Sequence, residues 1–197
     1  IWALIHCRTP AMGGHLYACK KCGDRAYPYH SCNHKACPQC GRQATADWVD
    51  RELGKLVGAP YFMVTFTLPS ELRGLFFGPL AKEAYDVFFA ATSTALRQKL
   101  ASPNWFGAQQ SGFTGVLHTW NQHLLPHFHF HYIVPGAGID GDGRVVRVKS
   151  ANFLVALDPL KIAFRHEFRE LFEAKGWGAD PAVWHKDWGI HIKPFGS

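Results

Sequence analysis

The spacing of hydrophobic and polar positions changes along the chain, and each change predicts an element. Residues 43–57 carry apolar side chains at helical spacing, which predicts an amphipathic helix. Residues 61–68 (YFMVTFTL) form a short apolar run rich in β-branched and aromatic side chains, which predicts a buried strand. Over 69–100 we expect helical structure in two pieces, the second beginning at Pro79.

The second half of the chain predicts further strands and one more helix. The segments are strands over 113–122 and 126–134, a turn over 135–143, a strand over 144–148, a helix over 158–175 with Asp158 as its N-cap, and a last strand over 188–194. The core order is strand, helix, strand, strand, strand, helix, strand. This order predicts an α+β fold with a mostly antiparallel sheet and helices on one face.

Length and composition limit the kinds of protein this chain can be. The 197 residues suffice for one core and a small added module, and 47% hydrophobic residues argue against disorder. The net charge of +6 suits a polyanionic partner without specifying one. No apolar run approaches the roughly 18 residues of a membrane span, so we expect a soluble, cytoplasmic protein. Because the chain begins at Ile1 rather than Met, we also expect a fragment of a longer protein.

All six cysteines lie within the first 40 residues, where they predict zinc binding. Cys19-x-x-Cys22 and Cys37-x-x-Cys40 each offer two thiolates in a tight turn, and together they predict a four-thiolate zinc site. A secreted disulfide domain is the alternative, which Cys-x-x-Cys pairs disfavour. We therefore predict a zinc-binding module over 1–42 that needs metal to fold, followed by a second domain over 43–197.

The remaining cysteines predict a second structural zinc. Cys7 and Cys32 with His15 and His30 supply four ligands of the right type. The alternative is that the two thiols are packed in the module and the histidines lie on the surface. An exchange of ligands between the two zinc sites is also open, because the spacing does not decide the pairing.

The sequence HFHFH predicts a second kind of metal site. Alternate residues of a strand share a face, so His127, His129 and His131 line one side, with His118 of the neighbouring strand placed to join them. Imidazole binds many metals; Mg²⁺ or Mn²⁺ would serve phosphodiester chemistry, with Gln122 or a carboxylate completing the shell. The alternatives are hydrogen-bonded core histidines and a three-histidine zinc site of an unrelated hydrolase.

Several segments together resemble one family. They are CRTPAMGGH, CKKCG, SCNHKACPQC, PYFMVTFTLP, VLHTWNQHLLPHFHFHYIVPGAG and HIKPF. The series resembles rolling-circle insertion-sequence transposases, which belong to the HUH superfamily of single-strand endonucleases and carry an N-terminal zinc-binding domain. The resemblance spans nearly the whole chain and implies an RRM-like palm whose central strand carries the His-hydrophobic-His motif.

The family pattern fits most of these positions and departs at two. The motif falls on His129-Phe130-His131, and His127 matches a histidine that often precedes the pair. Phe128 stands where the family commonly has proline. Ala36 stands just before Cys37, where members often carry histidine, and this leaves the ligand set of the second zinc open.

The resemblance also implies a mechanism. Two histidines and a third polar ligand hold a divalent metal, and a tyrosine attacks a phosphate of single-stranded DNA to form a 5′-phosphotyrosine. In the family the nucleophilic tyrosines lie on a helix after the last strand, so we expect the nucleophile beyond Ser197. None of the chain's own tyrosines is expected to serve, and Tyr132 is expected to face away from the metal.

Two groups of basic residues are predicted to contact DNA. Lys161, Arg165 and Arg169 share one face of the last helix, although a solvated helix face is the plain alternative. A second group lies in the zinc module among tyrosines, a mixture that suits base stacking with phosphate contact, as opposed to a purely structural role. Its members are Arg8, Lys20, Lys21, Arg25, Lys35 and Arg42.

The leading functional hypothesis is a DNA transposase core that binds single-stranded DNA or a DNA hairpin at transposon ends. The alternatives are a rolling-circle replication initiator, a DNA-binding protein without catalysis, and an unrelated histidine–metal hydrolase. The sequence predicts no oligomeric state.

Overall fold

The computed structural model describes residues 1–34, 36–123 and 125–195. Contacts divide the chain into two compact units, Ile1–Leu56 and Val57–Ser197. We predicted a domain boundary after residue 42, whereas the helix Gly41–Leu53 falls within the first unit. The position of the functional boundary stays a prediction.

The first unit consists of short elements. They are the helix α1 (Trp2–Ile5), a 3₁₀ helix (Pro10–Met12), the antiparallel strands β1 (Tyr17–Ala18) and β2 (Arg25–Ala26), and the helix α2 (Gly41–Leu53). Within the described residues of this unit, the buried side chains are two cysteines, Cys7 and Cys37. A unit without an apolar core depends on another source of stability, and metal ligation supplies one.

The second unit alternates strands and helices. Its elements are β3 (Tyr61–Thr67), 3₁₀ helices (Ser70–Phe76 and Gly78–Leu80), α3 (Ala81–Ala101), β4 (Thr114–Trp120), β5 (Pro126–Pro135), β6 (Ala137–Ile139), β7 (Val145–Arg147), α4 (Leu157–Ala174), a 3₁₀ helix (Pro181–His185) and β8 (Gly189–Phe195). Among the described helices, none combines the length and apolarity that a membrane crossing requires.

The main sheet has the strand order β4-β5-β3-β8, with every neighbouring pair antiparallel. Counting only these four strands along the chain, the order is 2-3-1-4, with one long helix after the first strand and one before the last. This is the β-α-β-β-α-β arrangement, and it makes β3 and β5 the central strands. The predicted α+β fold with an antiparallel sheet is confirmed.

The helices cover one face of this sheet. Phe66 and Phe130 point to that face, where Phe88 of α3 and Phe164 of α4 contact them edge-on at 4.9–5.1 Å between ring centroids. We call the other face, which carries Thr65, His118, His129 and His131, the histidine face. The predicted position of the helices on one face is confirmed, and it leaves polar side chains to the other.

Two local predictions were wrong. The predicted turn over 135–143 contains the strand β6, which pairs with β7. A side chain at Gly138 of β6 would lie 2.6 Å from Ala108 Cβ, and only glycine permits so close an approach. Asp158 is not the N-cap of α4; Ala156 holds that position and Asp158 lies in the first turn. There its negative carboxylate still interacts favourably with the positive N-terminal end of the helix dipole.

Candidate metal centres

Three imidazoles converge on the histidine face. His118 of β4 lies directly opposite His129 of β5, and His131 follows two residues later on the same face. One ring nitrogen of each lies within 4.8 Å of the others. The ring centroids are 4.7–5.1 Å apart. This spacing suits three nitrogen ligands around one metal ion, and it follows from strand register alone.

Hydrogen bonds fix the orientation of two of these rings. Nδ1 of His129 lies 3.1 Å from the carbonyl oxygen of His127, and Nδ1 of His131 lies 2.9 Å from Oγ1 of Thr65. When each Nδ1–H donates to its partner, Nε2 is left with its lone pair for a metal. Thr65 was missed by sequence reasoning, because a single threonine in an apolar strand gives no signal until the neighbouring strand is known.

Burial favours the neutral form of these two imidazoles. It lowers the pKa of His129 and of His131 below the usual value of 6.5, and neighbouring imidazoles, His118 among them, lower both further. A backbone hydrogen bond from His129 to the carbonyl of His127 opposes part of the change. Because only neutral imidazole binds a metal, the environment favours the binding form near neutral pH.

A cavity of about 440 Å³ opens over these rings. Its walls include His127, which we predicted as a ligand; the structure leaves its ring outside the three-imidazole group, 4.9 Å from the ring of His129. Gln122, predicted as a further ligand, lines the same cavity. Thr67, Trp120 and Asn121 complete this part of the wall. Strand alternation predicts that Trp120 shares a face with His118, whereas sequence reasoning did not single out Thr67 and Asn121.

Four thiols of the first unit form a second group. The sulfurs of Cys7, Cys32, Cys37 and Cys40 all lie within 4.8 Å of one another. The Sγ atom of Cys40 is 3.3 Å from that of Cys7 and 3.8 Å from that of Cys32. Four sulfurs around a zinc ion at about 2.3 Å lie about 3.8 Å apart, so the group has the dimensions of a closed, structural zinc site.

The thiols shift one another's pKa in opposite directions. A hydrogen bond from the Cys7 thiol lowers the pKa of Cys40 to about 6, although burial acts in the opposite direction. A backbone N–H from Cys32 favours the Cys7 thiolate, but burial and the neighbouring thiols raise the pKa of Cys7 to about 12. A divalent cation resolves this competition because it stabilises all the thiolates at once.

The structure divides the predicted zinc ligands differently from the sequence. Cys37 and Cys40 meet Cys7 and Cys32 rather than Cys19 and Cys22, as in the exchange of ligands left open above. The reason is that the chain returns past Cys7, where the backbone N–H of Cys32 lies 3.4 Å from Cys7 Sγ. Spacing along the sequence cannot show this return.

The other predicted zinc ligands form two separate pairs in a hairpin. Cys19 and Cys22 lie at its turn, closed by a hydrogen bond from the Gly23 N–H to the Cys19 carbonyl at 2.9 Å. His15 and His30 lie across the strands from each other with ring centroids 4.6 Å apart. The structure does not bring the two pairs together, and a second zinc at these residues stays a prediction.

The predicted basic face of the last helix is engaged within the molecule. Lys161 pairs with Asp187 at 2.8 Å, Arg169 pairs with Glu173 at 2.7 Å, and Arg165 donates to a backbone carbonyl at 3.4 Å. These bonds compete with phosphate for the same cations. DNA contact by this face stays a prediction.

The predicted basic residues of the first unit are exposed where the structure describes them. These are Arg8, Lys20, Lys21, Arg25 and Arg42. Lys35 lies outside the described residues. Tyr17, Tyr27 and Tyr29 are exposed in the same unit, so cations and aromatic rings are both available at its surface.

The tyrosines of the second unit are occupied elsewhere. Burial raises the pKa of Tyr132 to about 12, and its hydroxyl lies 2.8 Å from Thr92 Oγ1 on the helix side of the sheet, facing away from the imidazoles as predicted. Tyr85 also lies on the helix side. The Tyr61 hydroxyl bonds to the backbone of Val57, at the far end of β3 from the metal centre.

Comparison with known families places both centres in a transposase context. Residues 1–68 match the family model described as "Transposase zinc-binding domain", and residues 112–195 match the one described as "Putative transposase". The first match contains the four thiols and the second contains the three imidazoles. The two matches, in this order along one chain, confirm the predicted resemblance to insertion-sequence transposases.

Two curated proteins are similar over most of this chain. The "Putative transposase y4qJ" of Sinorhizobium fredii (strain NBRC 101917 / NGR234) is 39% identical over 171 residues, which are 87% of this chain and 42% of the relative. The "Transposase for insertion sequence element IS801" of Pseudomonas savastanoi pv. phaseolicola is 31% identical over 147 residues, 71% of this chain and 33% of the relative. The chain thus spans less than half the length of either relative.

Solved structures of the conjugative relaxase TrwC are similar to part of the chain. The metal-bound complex with oriT DNA has a TM-score of 0.49 at 15% identity, covering 60% of this chain and 45% of that one. A complex with mutant oriT DNA has a TM-score of 0.47 at 14% identity, covering 65% and 48%. The fold assignment itself rests on the strand order given above.

Proposed function

We propose that this chain is the core of a DNA transposase whose second unit binds single-stranded DNA and supports metal-dependent nicking and strand transfer. The observation that carries the proposal is the convergence of His118, His129 and His131 on the helix-free face of the sheet. The two transposase family matches support it and favour a transposase over a replication initiator.

The donor set fits a divalent cation with free coordination positions. Three neutral imidazole nitrogens would hold one side of the ion, leaving the cavity side for phosphate oxygens and water. We propose Mn²⁺ or Mg²⁺ here and zinc in the thiol group. When bound, the cation polarises a scissile phosphate and offsets the charge that develops on it.

The proposed reaction exchanges one phosphodiester for another. A tyrosine oxygen attacks the phosphorus, an O–P bond forms, the P–O3′ bond breaks, and the tyrosine proton leaves with the resulting 3′-OH. Reversal by a second 3′-OH joins strands without ATP. Tyr61, Tyr85 and Tyr132 are engaged away from the imidazoles, and the family resemblance implies a nucleophile on a later helix, so we propose that the tyrosine comes from outside these 197 residues.

The proposed DNA partner is a single strand or a hairpin at transposon ends. The first unit offers exposed cations beside exposed tyrosines, a combination that binds backbone phosphates and stacks unpaired bases. The cations of α4 are engaged within the molecule. We therefore assign more of the non-specific DNA affinity to the first unit than to α4.

The second candidate function is DNA binding without catalysis. It is favoured by one observation, that each tyrosine of the second unit is engaged away from the metal centre. Both functions predict metal and DNA binding, and they differ in whether a covalent product forms.

The first experiment tests the metal centre by Mn²⁺ titration under electron paramagnetic resonance and by DNA binding under fluorescence anisotropy. Mn²⁺ is expected to bind and to raise the affinity for single-stranded DNA, and His129→Ala is expected to abolish that increment. The matched control is His166→Ala on the exposed surface of α4. Tight zinc that Mn²⁺ does not displace from the imidazoles would instead indicate the unrelated hydrolase.

The second experiment separates nicking from binding. The chain and a version extended at its C-terminus through the following tyrosine-bearing segment are incubated with labelled single-stranded DNA and Mn²⁺. A covalent protein–DNA adduct on denaturing gels, formed by the extended chain and lost in its His129→Ala variant, supports the nickase. Metal-stimulated binding with no adduct from either chain supports the binding protein.

A further inference from the structure

Trp120 lines the cavity of the proposed metal centre, and the proposed chemistry gives its exposed indole no role. Its side chain is 58% exposed, although Trp188 in the same unit is 1% exposed. Across the described ranges, no second ring and no cationic group stacks on its indole. A large exposed indole beside polar groups is the arrangement that aromatic binding platforms use.

The strand places this indole beside the imidazoles. Trp120 follows His118 by two residues on β4 and lines the same cavity as His129. The pairing register of β4 with β5 shifts between His118 and Trp120, so Trp120 lies opposite Pro126. The extra residue lies on β5, which runs three residues from His129 to Pro126, so β4 keeps its two-residue alternation and Trp120 shares the cavity with His118.

The backbone that carries the indole is fixed on both sides. Trp120 ends the paired part of β4, and the next residue is Asn121. The Oδ1 atom of Asn121 accepts hydrogen bonds from the backbone N–H groups of His123 at 2.9 Å and Leu125 at 3.1 Å. The Asn121 N–H donates to the Leu125 carbonyl at 2.9 Å. The backbone that carries the indole therefore needs no reordering when a ligand stacks on the ring.

We propose that Trp120 forms a nucleobase subsite: its indole stacks on an unpaired base adjacent to the phosphate bound at the metal centre. The inference rests on the proposed function and adds to it a reason for strand selectivity. A base in a duplex is already stacked and paired, so only single-stranded DNA offers its face to the indole at no unpairing cost. Stacking tolerates any base, because every base has a π-face.

Val116 offers a matched control on the same strand. It precedes His118 by two residues, as Trp120 follows it by two, and its side chain is 38% exposed. An aliphatic side chain buries apolar area but has no π-face for a base. Truncating Val116 therefore tests whether any loss of apolar surface beside His118 weakens DNA binding.

The test compares two ligands of equal charge in Mn²⁺. One is a fluorescent oligothymidylate of about twelve nucleotides, and the other is an abasic deoxyribose-phosphate chain of the same length. For the unaltered chain, the abasic ligand is expected to bind more weakly than the oligothymidylate. The ratio of the two affinities should be about 5- to 150-fold smaller for Trp120→Ala. Trp120→Phe should keep most of the base dependence, and Val116→Ala should keep all of it.

The outcomes separate this inference from the proposed function. If Mn²⁺-stimulated binding is present and removing the bases costs Trp120→Ala as much as the unaltered chain, the subsite is overturned and the proposed function stands. If Mn²⁺ never stimulates binding of either ligand, the proposed function itself fails. Circular dichroism of Trp120→Ala should match the unaltered chain, because the side chain adds little to the core.

Discussion

At the residue scale, the proposed metal centre depends on the groups behind its imidazoles as much as on the imidazoles themselves. The carbonyl of His127 binds Nδ1 of His129 and the hydroxyl of Thr65 binds Nδ1 of His131, the two histidines that we propose as ligands on β5. A ring held at Nδ1 presents Nε2 in one direction, so the protein prepares the ligand geometry before a metal arrives.

Removing the Thr65 hydroxyl should therefore weaken metal binding. Thr65→Val keeps the shape of the side chain but leaves Nδ1 of His131 without its partner, and Mn²⁺ affinity should fall about 10- to 100-fold. Titration with Mn²⁺ under electron paramagnetic resonance measures the change.

A neighbouring threonine provides the control for that substitution. Thr67 lines the same cavity on the same strand, opposite His129, and Thr67→Val should leave Mn²⁺ affinity nearly unchanged. Thr65→Ser should restore most of the affinity. Equal affinities for the two valine variants would show that the hydroxyl of Thr65 does not position His131.

Acid should release the metal from the imidazoles later than from ordinary histidine. Protons and metal compete for the same nitrogens, so affinity falls as the pH drops through the pKa of the ligands. Because burial lowers the pKa of His129 and His131, the fall should be centred below the usual value of 6.5. Mn²⁺ affinities measured across this pH range check the sign, and a midpoint above 6.5 would contradict it.

At the element scale, β4 approaches the core through a glycine. Gly115 lies opposite Tyr132 of β5, and a Cβ atom there would lie 2.5 Å from the tyrosine ring. The ring cannot easily yield, since the tyrosine hydroxyl lies 2.8 Å from Thr92 Oγ1 and Phe113 contacts the ring edge-on. This single glycine lets the edge strand pass over a buried aromatic side chain.

A methyl group at this position should destabilise the second unit. We expect Gly115→Ala to lower its free energy of unfolding by about 1–3 kcal/mol through overpacking. Chemical denaturation followed by circular dichroism measures the loss. Gly112→Ala, where nothing lies within 4 Å of the added carbon, should have a much smaller effect, and equal losses would argue against the clash.

The sequence predicted the regular elements of the second unit because their period is local. β3 was identified from YFMVTFTL, and the alternation through HFHFH fixed which side chains of β5 share a face. β6 was not predicted, because its glycine, Gly138, is required by close packing against Ala108, a residue distant in sequence. The role of Thr65 was not predicted either, because it depends on the pairing of β3 with β5, which are distant in sequence.

At the scale of the whole molecule, the two units are stabilised by different means. Aromatic and aliphatic side chains fill the second unit, whereas the first unit buries two cysteines of a thiol group. The cysteine pairing in the first unit could not be read from spacing. Six thiols allow several sets of four, and only the fold of the chain around Cys7 selects one.

Zinc content should follow the thiol group seen in the structure. Cys37→Ser should remove one zinc per chain and destabilise the first unit, because three thiolates hold the ion less well than four. Cys19→Ser should leave that zinc in place. Elemental analysis with near-ultraviolet circular dichroism measures both, and loss of this zinc from the Cys19 variant as well as from the Cys37 variant would restore the pairing predicted from the sequence.

β5 is hydrogen-bonded along both edges, to β3 and to β4, and buries Phe128, Phe130 and Tyr132 on its helix side. The imidazoles of His129 and His131 alternate with these core rings along one strand. Such a strand opens to solvent only when the surrounding sheet unfolds, so its amide protons exchange at the slow, global rate. The imidazole group on β5 therefore cannot unfold locally, and it persists for as long as the sheet of the second unit stays folded.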